Sequence, residues 1–385
     1  MKSRVVFFDY LRAFVILLVV LHHAAQAYTT YVQYNFQNYV FSPWPVADPA
    51  RSYAFDLFQR LQDMYFMSLL FLIAGLFTWP SLVRKGFTAF LRDRMMRLGI
   101  PFVLGITVLA PIGEYACYLA MGHQPGFIAF WKNVFFKNYW YSGPVWFLWV
   151  LLVFSGLTAV FWKIAPECLP NLSQRLERLA RRPVLFSLVF FAGALVCYAV
   201  PFSLMPYADL RSWSYQAAPF WVQINRVPLY AFCYFGGVVA GVPGIRDNSL
   251  FQKDSPLVRQ WALWTLTALA LYVSSVIGPG SSLERVRVLT SGVFFSGGCV
   301  FSCLALISLF SKFMDNPSRI WDSFAANAYG IFLVHFPIIV WLQFALLQNE
   351  LSPFVKFSVV ASLGFALSWG TAAALRRVPG VKRIL

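Results

Sequence analysis

The chain has 385 residues, of which 59% are hydrophobic and 12% charged. A soluble globular protein carries about 25% charged residues, so half that share over this length leaves too little polar surface to face water and places the chain in a bilayer. The net charge of +16 does not signal a nucleic-acid partner, because the basic residues stand in short clusters between apolar runs, as cytoplasmic loops do under the positive-inside rule.

Roughly 20 apolar residues cross the hydrocarbon core as a helix. Ten stretches meet that requirement, near 5–27, 57–79, 98–121, 143–163, 183–203, 217–241, 258–278, 288–310, 323–348 and 353–375. Proline and glycine mark several of the ends, as at Pro80, Gly143-Pro144, Pro183 and Gly278-Pro279. The expected fold is all-α and polytopic, with about ten transmembrane helices in a single domain over 1–385. The first stretch imitates a secretory signal, with Met1 to Arg4 basic, Val15 to Leu21 apolar and Ala25-Gln26-Ala27 like a cleavage site. Asp9 and Arg12 interrupt it, so a retained first helix is expected. With the N-terminus in the cytoplasm, 21 Lys and Arg residues fall on the inner side and six on the outer side, which puts both termini inside. The six cysteines form no CxxC pair and mostly lie in apolar runs. They read as packed thiols, with neither a disulfide framework nor a metal site.

Ionisable groups inside a bilayer are costly and mark functional positions. The first span holds Asp9, Arg12, His22 and His23. Eleven residues separate Arg12 from His23, which on a helix leaves them about 20° apart in azimuth and about 16 Å apart in depth. One face therefore carries a cation towards the cytoplasm and an imidazole towards the far side, with Asp9 placed to pair with Arg12. Imidazole suits general-base work near neutral pH; His22 points to a different face. In the second span Asp56, Arg60 and Asp63 share a helix face and can pair along it. Asp63 also lies near the depth of His23 and could hold its imidazole in the productive tautomer. Glu114, Arg226 and His335 are further intramembrane groups, Arg226 suited to balance a carboxylate or hold a substrate phosphate. Tyr139, Trp140, Tyr141 and Trp146 gather at the outer interface, as an aromatic belt or as a stacking surface for a sugar.

Arg12 with ten residues before His23 resembles the first-span signature of the membrane-bound acyltransferase-3 family. Phe66-Met67-Ser68-Leu69-Leu70-Phe71-Leu72-Ile73-Ala74-Gly75 is similar to its second-span segment, with Ala74 where a serine is usual. Arg92-Asp93-Arg94 looks like its Arg-x-Arg segment, Pro144-Val145-Trp146-Phe147-Leu148 like its Trp-Phe-Leu segment, and Asn327 to His335 like its late Tyr-to-His segment. The resemblance covers nearly the whole chain and extends to the branch that succinylates periplasmic glucans.

It implies an inner-membrane O-acyltransferase that moves an acetyl or succinyl group from cytoplasmic acyl-coenzyme A to a hydroxyl of an extracytoplasmic glycan or glycolipid. Arg92 and Arg94, assisted by Arg12, would hold the donor, because guanidinium groups grip phosphate oxygens bidentately. His23 would deprotonate the acceptor, with Asp9 and Asp63 supporting the site and Trp146, His335 and Arg226 contacting substrate. No metal is called for. The rival expectation is a multi-span transporter or flippase, in which intramembrane charges also mark substrate paths. Such a chain would show paired repeats and helices broken at mid-membrane, and neither is visible in the sequence.

Overall fold

The computed structural model describes residues 5–33, 45–124, 126–204, 218–245, 248–278 and 284–384. Lys2, Arg4, Arg211, Arg246 and Pro279 lie outside the described residues, and so do the side chains of Tyr139, Arg285, Arg287 and Arg383.

The first half of the chain forms α1 (Val6–Gln26), α2 (Tyr53–Asp63), α3 (Phe66–Lys85), α4 (Phe87–Arg94), α5 (Ile100–Leu104), α6 (Ala110–Ala120) and the short α7 (Phe127–Phe130). There follow α8 (Trp146–Ile164), α9 (Cys168–Ala180), α10 (Pro183–Leu204), α11 (Val227–Ala240), α12 (Pro256–Arg259), α13 (Trp261–Ile277), α14 (Glu284–Phe313), α15 (Arg319–Leu346) and α16 (Pro353–Leu375). No sheet is present among the described residues, so the protein is an all-α, multi-pass membrane protein. Lipid offers no partner for exposed backbone N–H and C=O groups, and helices satisfy theirs internally.

Among the described residues eight helices are long and apolar enough to cross a membrane, and nine if the pair Ser249–Arg259 and Trp261–Ile277, bent by 68°, counts as one span. Of the ten expected stretches, the one at 217–241 has no helix of that length among the described residues. The α-helix there runs over Val227–Ala240, 14 residues, and is preceded directly by the 3₁₀ turn Ile224–Arg226. Residues 218–223 before it are not helical.

This short helix is held by close packing. Gly75 of α3, Gly237 of α11 and Gly241 just past its end let the two backbones touch: a Cβ on Gly75 would come 2.1 Å from the Tyr234 carbonyl oxygen, and one on Gly237 2.2 Å from that of Leu72. Small residues serve this purpose in membranes, where van der Waals contact between helices replaces the hydrophobic effect as the driving force. Further contacts join α13 to α14, α15 to α16, and α1 to α15. That last pairing brings the first and late motifs together.

Turns of π-helix interrupt the third span at Met95–Gly99 and Gly105–Leu109. Each re-phases the faces of the helix, and such turns are frequent at functional sites. The first of them directly follows Arg92 and Arg94.

Candidate active site

His23 lies one turn from the end of α1, where helix geometry makes the Val19 carbonyl its nearest acceptor. Nδ1 of His23 is 2.8 Å from that oxygen. From α15, His335 brings Nε2 to 3.3 Å from the same Nδ1, while its own Nδ1 is 2.7 Å from the Phe332 carbonyl. Carbonyls only accept, so in the neutral form of each ring both Nδ1 atoms carry the proton. The one His23 Nδ1–H is then shared between the Val19 carbonyl and Nε2 of His335, and the lone pair of His23 falls on Nε2. The two rings stand 4.9 Å apart at 64°, with Phe336 edge-on to His23 at 5.8 Å.

The end of α1 is clamped by three buried glutamines. Gln59 donates to the His22 carbonyl at 2.7 Å, Gln62 to that of Leu18 at 3.4 Å, and Gln343 to those of His23 at 2.7 Å and Ala24 at 3.1 Å. These bonds fix the depth and rotation of the histidine pair against α2 and α15. His22 faces the other way, stacked on Phe66 at 5.0 Å with Nδ1 3.2 Å from Gln62 Oε1. Adjacent residues on a helix point about 100° apart.

Asp63 does not orient His23, as the sequence had suggested. Its two oxygens receive the guanidinium fork of Arg226 at 2.5 and 2.6 Å, the bidentate geometry that matches carboxylate to arginine. Asp56 accepts from the backbone and hydroxyl of Thr30, so the expected pairing of both carboxylates through Arg60 is replaced by contacts to other elements. Arg226 is thereby held as a carboxylate partner and lies over Phe295 at 5.1 Å. Trp146 is buried at 8% exposure and stacked on Tyr230 at 5.7 Å and 30°, which makes it a core side chain beside the site.

At the opposite end of the bundle the Asp9–Arg12 pair forms as expected, 3.3 Å apart. Arg92 and Arg94 do not act together. Residues two apart on a helix point about 200° apart; Arg92 is exposed, while Arg94 turns inward over Phe90 at 4.9 Å and donates to Thr78 Oγ1 at 3.3 Å. Its Nε is buried with no hydrogen-bond partner. Thr78 continues to the Tyr234 hydroxyl at 3.1 Å, and Ser155 and Thr158 each lie 3.4 Å from that hydroxyl. A polar thread therefore runs from Arg94 between α3, α8 and α11. Asp93 is held by Lys85 at 2.7 Å and Arg97 at 3.3 Å.

The sequence reading missed the glutamine clamp and the ion pair of Lys356 with Asp48, formed at 2.7 and 2.9 Å with both residues fully buried. Asp48 also donates its backbone N–H to Ala27 at the end of α1. Glutamines inside apolar stretches were a visible signal, whereas nothing in the sequence distinguishes Asp48 as the partner of Lys356. Among the described residues no group of three or more His, Cys, Asp or Glu side chains could hold a metal ion.

Residues 5–373 match the acyltransferase-3 family, described as an acyltransferase domain. No curated protein and no solved structure matches the chain. With a match over nearly its whole length, carried by a chain that folds as a multi-pass helical bundle, the protein belongs to the acyltransferase-3 family and is an acyltransferase.

Proposed function

We propose that the protein is an inner-membrane O-acyltransferase that takes an acetyl or succinyl group from cytoplasmic acyl-coenzyme A and places it on a hydroxyl of an extracytoplasmic glycan or glycolipid. The observation that carries the reading is the His23–His335 pair at one end of the bundle, His335 buried and His23 half-buried, while the arginines gather at the other. Nε2 of His23 removes the proton from the acceptor hydroxyl as its oxygen attacks the thioester carbonyl. The new C–O bond forms, the C–S bond breaks, and the proton passes from His23 to the departing thiolate. His335 acts by positioning. Together with the Val19 carbonyl it accepts from Nδ1–H and so keeps the lone pair of His23 on the nitrogen that meets the acceptor.

Arg94 is the primary phosphate contact for the donor. Its buried, unpartnered Nε leaves donor capacity for a phosphate oxygen, and the thread from Thr78 to Tyr234 offers hydroxyls to the amides of the pantetheine arm. Arg12 and Arg92 add charge at the same end.

The test uses purified protein with acetyl- or succinyl-coenzyme A and a glucan oligosaccharide. Acceptor-dependent release of free thiol, with the acyl group recovered on the glycan, is expected. No thiol release with either donor would reject the reading.

A further inference from the structure

Of the seven side-chain polar atoms buried without a hydrogen-bond partner among the described residues, three gather at α6 and the 140–143 segment: Oε2 of Glu114, Oγ of Ser142 and Nε1 of Trp140. Glu114 and Ser142 are each 1% exposed. Buried polar atoms are normally satisfied, so three left open in one neighbourhood call for a ligand.

Their neighbourhood follows from helix spacing. Ala110, Glu114 and Cys117 share one face of α6. Ala110 and Cys117 belong to an aromatic cluster with Phe130, Phe135 and Trp221, against which Trp140 and Tyr141 pack. A Cβ on Gly143 would lie 3.9 Å from that of Ala110, which seats the 140–143 segment on this face of α6. Burial, and after it the nearby Glu114 carboxylate, push the Tyr141 phenol above its ordinary value, consistent with the same placement. Trp140 itself holds a left-handed backbone, φ 37 and ψ 58. A bulky residue rarely adopts that conformation, and where it does the surrounding structure enforces it.

Phe336 joins this cluster to the histidines. A Cβ on Gly113 would come 2.8 Å from its Cε1 and one on Gly143 3.6 Å from the same atom, while its ring is 5.8 Å from that of His23. The ring stands between the imidazole and Gly143, at the end of the 140–143 segment.

We propose that Glu114, Ser142 and the indole N–H of Trp140 form a subsite for a sugar ring of the acceptor, adjacent to the ring whose hydroxyl meets His23. The proposal rests on the O-acyltransferase reading above. A sugar hydroxyl both donates and accepts, and this set answers with an acceptor, a donor and a hydroxyl that does both. The surrounding aromatic rings offer faces to the apolar C–H side of a pyranose. A quaternary ammonium would suit the carboxylate and the rings, but it supplies no acceptor for the indole N–H.

The test compares wild-type protein with Trp140→Phe, Ser142→Ala and Glu114→Leu, and with Glu114→Gln as the conservative variant that keeps an acceptor oxygen. Each is checked for folding by thermal melting. The KM for a glucan oligosaccharide is expected to rise about tenfold in Trp140→Phe and Glu114→Leu and less in Ser142→Ala and Glu114→Gln, roughly the loss of one hydrogen bond. Turnover at saturating acceptor and acyl-coenzyme A affinity stay at wild-type values. A structural role would instead lower turnover and donor affinity together with melting temperature, and that outcome overturns the subsite, as does an unchanged KM in Trp140→Phe and Glu114→Leu. If wild-type protein transfers no acyl group at all, the O-acyltransferase reading fails, and direct binding of the same oligosaccharide, read by tryptophan fluorescence, decides the subsite separately. Saturable binding weakened by Trp140→Phe supports it. Binding that is absent, unaffected by Trp140→Phe, or replaced by choline binding overturns it.

Discussion

Around His23 the ends of α1, α2 and α15 are joined by amide bonds from three glutamines that are 1 to 4% exposed. Around Arg92 the joining groups are partly exposed ion pairs, Lys85 with Asp93 and Arg97 with Asp93. Buried hydrogen bonds away from water are rigid and costly to leave unmade, while ion pairs reachable by water contribute about 0–1 kcal/mol. The histidine end is therefore built to hold one geometry. The arginine end is joined by weaker contacts that water reaches.

The comparison breaks most decisively at His23. His23→Ala should give a folded protein that binds donor but loses about 10² to 10⁴ in turnover, the usual worth of general acid–base catalysis. His22→Ala, on the face towards Gln62, should lose much less. Equal losses in turnover per folded molecule would mean that the imidazoles serve packing alone. His335→Ala should fall between them, by about ten- to a hundredfold, because it removes one of the two acceptors that hold the His23 Nδ1–H and so orient the ring, and leaves the Val19 carbonyl and the base in place.

Next in size is the pair beyond α1, which touches no reacting group. Removing one partner of a buried ion pair leaves an uncompensated charge and costs about 3–5 kcal/mol. Lys356→Met and Asp48→Asn should each lower thermal stability by about that amount, with turnover per folded molecule intact. Replacing both residues together with apolar ones should recover most of the loss. An unchanged melting temperature in both single variants would show that the histidine end does not depend on this pair.

How far each end could be read from sequence follows the same division. The azimuth of His23 and the Asp9–Arg12 pairing come from spacing along one helix, and helix periodicity fixes both. His335 was legible as an intramembrane imidazole, but its bond to His23 joins α1 to α15 across most of the chain, and no local pattern encodes that. Asp63 misled for the same reason. Its depth matched that of His23, yet depth does not give azimuth, and the side chain that reached it was Arg226 on the 3₁₀ turn Ile224–Arg226 before α11. The expected span at 217–241 is helical only from residue 224 on, because hydropathy counts apolar residues whether or not they are helical, and residues 218–223 are not.

At the arginine end the expected effects are smaller, and they divide two residues that the sequence treated alike. Arg94→Gln removes a charge-assisted contact worth about 1.5–3 kcal/mol, so donor affinity should fall roughly ten- to a hundredfold. Isothermal titration with a non-hydrolysable acyl-coenzyme A analogue reads it directly. An Arg94→Gln protein that binds the analogue as wild type does would confine Arg94 to its contacts with Thr78 and Phe90.

Arg92→Ala tests the other half of that division. Its guanidinium is exposed and turned about 200° from that of Arg94, so it contributes field at the surface and no fixed contact inside the bundle. Such a charge draws an anionic donor toward the bilayer face and is screened by salt. In low salt Arg92→Ala should weaken donor affinity by no more than about fivefold, and mostly through slower association. At about 1 M salt, where the Debye length shrinks to about 3 Å, the difference from wild type should vanish, while that of Arg94→Gln should persist, because a buried pair is screened far less. Titrating both variants across the salt range separates the two. If Arg92→Ala keeps a loss as large as that of Arg94→Gln at high salt, the two arginines grip the same phosphate together, and the α4 geometry seen here must change when the donor binds.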